Sequence, residues 1–240
     1  MTLLFIFLLA LVASFIQRVS GFGFGIFVMM FFPFFLPSYG ESVMLSGLLA
    51  GTTALMIAIK NRKYIRWRMM GLVLLFNILF SFLATEYMTS LSNETLKRCL
   101  GVVLILIAFY FLFSEGKKMK VLMHSKWAQG AIGSISGIMG GMFAMPGPPL
   151  VIYCINSLVD KREYVSTLQA FSVMCNVFYT FFRAKVGFYS EDTLLWWGVG
   201  LLGGMIGTSI GTRLFNYISN NTLRRIVYGL MIVSGLMAII

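Results

Sequence analysis

Apolar residues fill the chain in long blocks, and charged residues are confined to short intervals between them. The first block, 3–36, is interrupted by glycine, serine and proline; unbroken runs follow at 43–59, 67–83 and 96–113. After a basic interval at 115–126, a second interrupted stretch at 127–155 leads into runs at 165–182, 194–215 and 223–240. A membrane-spanning helix needs about 20 apolar residues, so the pattern predicts an all-α integral membrane protein with about eight hydrophobic segments. Both sets of four segments have the same order. The chain therefore divides into a first transmembrane repeat at 1–114, a basic cytoplasmic linker at 115–126 and a second transmembrane repeat at 127–240.

The repeat is also visible residue by residue. Ser20-Gly21-Phe22-Gly23-Phe24-Gly25-Ile26-Phe27 matches Ser136-Gly137-Ile138-Met139-Gly140-Gly141-Met142-Phe143, and a proline follows each, at Pro33 and Pro146. Asn93 to Arg98 opens the last run of the first half as Asn220 to Arg225 opens that of the second. Two matches in the same order establish an internal repeat. Glycine costs about 1 kcal/mol in a helix interior and proline about 3, so the sequence predicts that each half begins with a broken or re-entrant Gly-rich helix. From Trp127 to Ile135 only nine residues precede Ser136-Gly137. Nine helical residues rise about 13 Å, roughly half the hydrocarbon core, which predicts a short arm ending at that serine.

Charge decides between two topologies. With eight full crossings, eleven lysines and arginines fall on one side and seven on the other; Arg18, inside the first broken stretch, belongs to neither count. If each broken stretch enters and leaves on the same side, the counts become fourteen and four, the halves are inverted, and both termini lie outside. The positive-inside rule favours the second arrangement.

Composition narrows the function. The chain is 59% apolar and 11% charged, which leaves no room for a catalytic or nucleotide-binding module outside the bilayer. The net charge of +11 fits cytoplasmic loops facing anionic lipid better than a nucleic-acid partner. Cys99, Cys154 and Cys175 are far apart in apolar runs, so no disulfide framework is expected, and His124 is the only histidine. There is no HExxH and no Walker lysine. No cofactor, no metal and no enzymatic activity are expected. The apolar run at 3–15 has no positive segment before it and reads as a span rather than a signal peptide.

Broken helices point N-terminal N–H groups and partial positive charge at a ligand. Ser20, Gly21, Gly23 and Gly25 in one break, and Ser136, Gly137, Gly140 and Gly141 in the other, are the candidate ligand contacts, because glycine lets backbone approach closely and serine can donate. Pro146, with Pro148 and Pro149, removes donors and fixes φ, which predicts a shaped site or gate. All eight acids lie near span ends, so the membrane holds no carboxylate for a cation, which favours an anion. Of the deeper polar residues Thr52, Thr53, Asn77, Gln169, Ser172, Asn176 and Thr180, two are taken as site residues. These are Gln169 and Asn176, seven apart and so on one helical face. Interhelical hydrogen bonds are the simpler role for each of the seven. Arg18, Arg183 and Lys185 could draw in an anion, although snorkelling to the interface is the simpler account. Gly47, Gly51, Gly203, Gly207 and Gly211 read as packing positions.

The stretches SGFGFGIF from Ser20 and SGIMGGMFAMPGPP from Ser136, within a duplicated chain, resemble the sulfite exporter TauE/SafE family over nearly the whole length. Phe22 and Phe24 interrupt the glycine run of the first half. The resemblance implies a permease of the cell (inner) membrane, multi-pass, that moves sulfite, a sulfonate or a related organosulfur anion, generally outward. It assigns function to Ser20, Gly21, Gly23, Gly25, Gly137, Gly140, Gly141 and Pro146. Together the residues and the resemblance give a secondary transporter working by alternating access, with a small-anion channel, or a carrier of another carboxylate or inorganic anion, as the alternative. Its expected partners are that anion and the lipid bilayer, with pairing as a homodimer left open.

The charge count generates a first test. A reporter fused after Ile240 is expected to be active only outside the cytoplasm; activity only inside would remove the inverted arrangement.

Overall fold

The computed structural model describes residues 1–113, 125–158, 160–214 and 220–239, so residues 114–124, most of the expected basic linker, lie outside the described residues. Every regular element described is helical. The first half contains α1 (Thr2–Ser20), α2 (Phe24–Met29), α3 (Phe32–Phe35), α4 (Tyr39–Lys60), α5 (Gly71–Met88) and α6 (Asn93–Phe113). The second contains α7 (Lys126–Phe143), α8 (Gly147–Ser157), α9 (Lys161–Lys185), α10 (Thr193–Leu214) and α11 (Asn220–Ile239). Where a helix starts at a polar edge the sequence supplies its cap. Ser38 Oγ accepts from the Glu41 N–H at 3.1 Å ahead of α4, and Asp160 accepts from the Arg162 and Glu163 N–H groups ahead of α9.

Among the described residues, α1, α4, α5, Arg162–Lys185 of α9 and α10 are each long and apolar enough to cross a membrane. Their outward faces stay apolar where a soluble protein would be polar: Leu75, Leu79 and Leu83 are exposed at helical spacing on α5, as are Val177 and Phe181 on α9. Such faces suit lipid. Lipid tails are themselves as apolar as leucine, so helix association has to come from close packing and from small residues at the contacts.

The glycines supply that packing. A Cβ at Gly203 would lie 2.3 Å from the Phe7 carbonyl oxygen, and one at Gly207 would lie 2.0 Å from that of Leu11. On the α5–α7 contact, Cβ atoms at Gly133, Gly137 and Gly141 would lie 2.5, 2.5 and 2.7 Å from the carbonyl oxygens of Val73, Asn77 and Ser81. In both pairs the contacting positions ascend together, so α1 runs parallel to α10 and α5 runs parallel to α7. The other two pairs run antiparallel. Gly40, Gly47 and Gly51 of α4 meet Phe188, Arg183 and Asn176, and Gly101 of α6 meets the segment from Gly235 to Ile239. The opening helix of each half thus lies against the third apolar run of the other half.

Polar contacts identify the two ends of the bundle. At one end Arg66 pairs with Glu163, the Arg66 N–H donates to Thr167 Oγ1 (3.0 Å), and Tyr153 donates to the Met69 carbonyl (3.0 Å). At the other, the Tyr39 N–H donates to Asn93 Oδ1 (3.2 Å), and Gly40 packs on Phe188.

The expected short arm ending at Ser136 is corrected. Helix α7 continues unbroken through Ser136, Gly137, Gly140 and Gly141 to Phe143, eighteen residues in all. These glycines keep helical geometry because a backbone in lipid has no water to replace lost hydrogen bonds; α5 covers Gly137 and Gly141, and the Tyr179 ring of α9 covers Gly140. The break comes later, where proline removes donors. The short limb is the returning α8, whose eleven residues rise about 16 Å.

Replacing Gly207 by valine is expected to lower the melting temperature of the detergent-purified protein sharply, since the clash is with a backbone carbonyl that cannot turn away. Overpacking costs about 1–3 kcal/mol or more. Gly198→Ala in the same helix meets nothing within 4 Å and is expected to be neutral or to stabilise by up to about 1 kcal/mol. Equal melting temperatures for the two variants would contradict the packing account.

Candidate functional site between the two helix breaks

The opening stretch of each half is interrupted, between α1 and α2 and between α7 and α8, and each interruption is built from local backbone chemistry. Helix α1 ends where Gly21 turns left-handed (φ 85°) and returns its N–H to the Gln17 carbonyl; Gly23 is again left-handed (φ 104°), and α2 starts immediately after it. Two positive φ angles within three residues call for glycine. Helix α7 ends at Ala144, the only non-glycine with positive φ among the described residues (φ 55°). Its N–H stays on the Gly140 carbonyl and that of Met145 reaches back to Met139. A left-handed alanine costs about 1–2 kcal/mol, and Pro146 immediately downstream prevents the helix from simply continuing.

The two breaks meet. A Cβ at Gly25 would lie 2.1 Å from the Ala144 carbonyl oxygen, so only glycine allows this approach. Beside the contact is a cavity of about 40 Å³ bounded by Gly21 to Ile26 from the first break and Ala144 to Gly147 from the second. Gln17, Ala50, Leu150, Leu168, Gln169, Ser172 and Asn176 complete the wall. At about 10–15 Å³ of such space per water, it has room for a solute of a few heavy atoms. No charged side chain lines it. Its polarity comes from amide side chains and from first-turn N–H groups that have no intrahelical acceptor, those of Phe24, Gly25 and Ile26 in α2 and of Gly147 in α8. Pro148 and Pro149 leave Gly147 and Leu150 as the N–H donors at the start of α8.

Two hydrogen-bond chains hold the breaks open. In the first, Thr53 Oγ1 donates to Gln17 Oε1 (2.8 Å), Gln17 Nε2 to Gln169 Oε1 (3.0 Å), and Gln169 Nε2 to the Gly21 carbonyl (2.8 Å). In the second, Tyr179 OH (2.8 Å) and Cys175 Sγ (3.1 Å) donate to Asn77 Oδ1, Asn77 Nδ2 to Ser136 Oγ (3.0 Å), and Ser136 Oγ to the Pro146 carbonyl (2.8 Å). Each chain ends on a carbonyl freed by a helix break, and each passes through residues of both halves.

Of the sequence-predicted residues, Gly21, Gly23, Gly25, Pro146, Gln169 and Asn176 line the cavity. Ser20 and Ser136 do not. The Ser20 hydroxyl sits between the carbonyls of Ile16 (2.8 Å) and Phe22 (2.6 Å), so both serines serve the backbone of the breaks. Gly137 and Gly141 face α5, and Gly140 faces the Tyr179 ring, where a Cβ would lie 2.2 Å from the hydroxyl. Thr53, Asn77 and Gln169 make the interhelical bonds expected of them, whereas Thr52 and Asn176 bond within their own helices. Gln17 is a lining residue that sequence reasoning missed; its signal was one amide in an otherwise apolar run, a turn before Ser20. Arg183 does not snorkel. It is fully buried, donating to the Val43 carbonyl (2.9 Å) and to the Gly140 and Gly141 carbonyls at the end of α7. Among the described residues no three His, Cys, Asp or Glu side chains converge on a metal site.

Compared with known families, residues 6–238 match the profile of the sulfite exporter TauE/SafE family. No curated protein and no solved structure gives a match to the chain.

Replacing Asn77 by leucine removes the shared acceptor of Tyr179 and Cys175 and the donor to Ser136. Each buried group left unpaired costs about 1–3 kcal/mol, so Asn77→Leu is expected to melt well below wild type. Tyr179→Phe added to it should cost less than it does alone, because the two changes remove the same bond. Strict additivity in thermal melts of the four proteins would break the network.

Proposed function

The chain belongs to the sulfite exporter TauE/SafE family, a family of membrane transporters, and from that membership we propose that it carries a small organosulfur anion, sulfite or a sulfonate, out across the cytoplasmic membrane. The observation that carries the proposal is the meeting of two helix breaks at Gly25 and Ala144 beside a small cavity free of carboxylates. Sulfite is a pyramidal anion whose three oxygens need donors from several directions. Backbone N–H groups at two helix starts, with the second amide hydrogen of Gln169, offer donors of that kind without a fixed counter-charge. A site that holds its anion without an ion pair can also release it.

Alternating access needs two arrangements of similar energy around one site. Two inverted repeats, 1–114 and 127–240, provide them. The parallel contacts α1–α10 and α5–α7 and the antiparallel contacts α4–α9 and α6–α11 support inversion, given that short connections reverse the chain. So does the pairing of Arg66 with Glu163, which puts the 60–68 and 161–162 loops at one end; eight full crossings would separate them. The units that rock are then not the sequence halves. Glycine-to-carbonyl packing locks α1 to α10 and α5 to α7 across the repeats, so each locked pair moves as one body, with α4 and α9 between them.

The test is a thermal-shift panel on the purified protein with sulfite, sulfate, thiosulfate, sulfoacetate, taurine and acetate, followed by flux of any stabilising anion in proteoliposomes. A ligand at 100 times its dissociation constant stabilises by about 2.7 kcal/mol. A shift with sulfite or a sulfonate, and saturable flux of the same ion, is expected, and Gly25→Val should lose both by forcing the breaks apart. Neither shift nor flux with any member of the panel would overturn the proposal.

A further inference from the structure

Arg183 is completely buried, yet none of the ion pairs among the described residues involves it. Its Nη1 and Nη2 groups donate to backbone carbonyls of α4 and α7, and its Nε–H has no partner. The titratable groups that interact with it electrostatically are the Tyr179 and Tyr39 phenols. Tyr179 lies with its ring 5.4 Å from the guanidinium and its hydroxyl committed to Asn77. A phenol does not neutralise a guanidinium. An uncompensated cation is strongly destabilising inside a protein, and one retained inside a membrane usually marks the route of an ion.

The position of Arg183 connects it to the cavity. Gln169, Asn176 and Arg183 follow one another at seven-residue intervals and share one face of α9. The first two line the cavity. Across the seam, α4 offers small residues: a Cβ at Gly47 would lie 2.5 Å from Arg183 Nη1 and 3.2 Å from Asn176 Oδ1, so the guanidinium and the cavity amide converge over one glycine. Ser46 and Tyr39 lie one and about three turns from Ala50, itself on the cavity wall, towards the start of α4. Their hydroxyls are fully buried and have no hydrogen-bond partner. Three unpartnered polar groups, Ser46 Oγ, Tyr39 OH and Arg183 Nε, thus lie on α4 and α9, two facing helices that both contribute to the cavity wall.

We infer that the α4–α9 seam is the path by which the anion leaves the cavity, and that Arg183 is its second binding station, where the Nε–H and the Tyr39 hydroxyl take an oxyanion that carries several acceptor oxygens. This rests on the transport reading above. It gives the unpaired cation its counter-ion, the substrate itself, and it places that charge between the cavity and the α9–α10 loop, the extracytoplasmic end in the inverted arrangement. Arg183 also caps the carbonyls that end α7, so loss of function on its removal would not by itself separate binding from folding.

The test therefore uses variants that separate them. Tyr39→Phe and Ser46→Ala remove only hydroxyls without a protein partner and should melt at or above wild type without anion, while weakening sulfite binding about three- to tenfold. Arg183→Lys keeps a cation near the α7 terminus but loses the Nε–H; it should fold and lose at least tenfold in sulfite affinity and flux. Arg213→Gln, at the end of α10, controls for general loss of positive charge and should behave as wild type. Sulfite binding and flux within twofold of wild type in Tyr39→Phe, Ser46→Ala and Arg183→Lys would overturn the inference while leaving the transport reading intact. A wild type that neither binds nor carries any oxyanion would overturn both.

Discussion

A polypeptide in lipid has to satisfy its own backbone, and this chain interrupts two helices beside a small cavity. Most of the other features follow from how those interruptions are satisfied. The Gly21 carbonyl is taken up by Gln169 and the Pro146 carbonyl by Ser136. The Ala144 carbonyl rests against the bare Cα of Gly25. A larger residue at Gly25 would separate the breaks, and with them the walls of the cavity. Residues at the starts of α2 and α8 line that cavity, which has no charged side chain on its wall, and helix starts carry partial positive charge.

The same constraint explains why so much glycine is compatible with a folded bundle. Glycine weakens an isolated helix, but helices in a membrane gain most from backbones that approach to van der Waals distance. Gly133, Gly137 and Gly141 on α7, and Gly203 and Gly207 on α10, each bring a helix face onto carbonyls of its neighbour. Because both contacts join one half of the chain to the other, the chain is interlocked. The hydrogen-bond chains through Gln17 and Asn77 follow the same cross-repeat route, which couples the geometry of each break to the half that does not contain it.

Charge is distributed by the same logic. Exposed ionic contacts such as Arg66 with Glu163 and Arg98 with Glu94 lie at the ends of helices. Inside the bundle the cavity uses amides and backbone, and Arg183, the one fully buried cation among the described residues, is held by carbonyls rather than by an acid. The cavity wall combines apolar side chains with the Gln17, Gln169 and Asn176 amides and carries no carboxylate.

By itself the sequence determined the all-helical membrane character and the first break, because hydropathy and closely spaced glycines are local properties. It also marked Gln169 and Asn176, since a seven-residue interval is a property of one helix. Tertiary structure decided which glycines bend the chain and which pack it: Gly137 and Gly141 hold the places in their stretch that Gly21 and Gly25 hold in theirs, yet with the carbonyls of α5 lying against them α7 runs straight to Phe143. The second break shifted to Ala144 for that reason, and Ser136 became a brace for Pro146. The burial of Arg183 was likewise invisible from its place near a span end, because whether an arginine reaches water depends on which helices surround it, and here those are α4, α7 and α9.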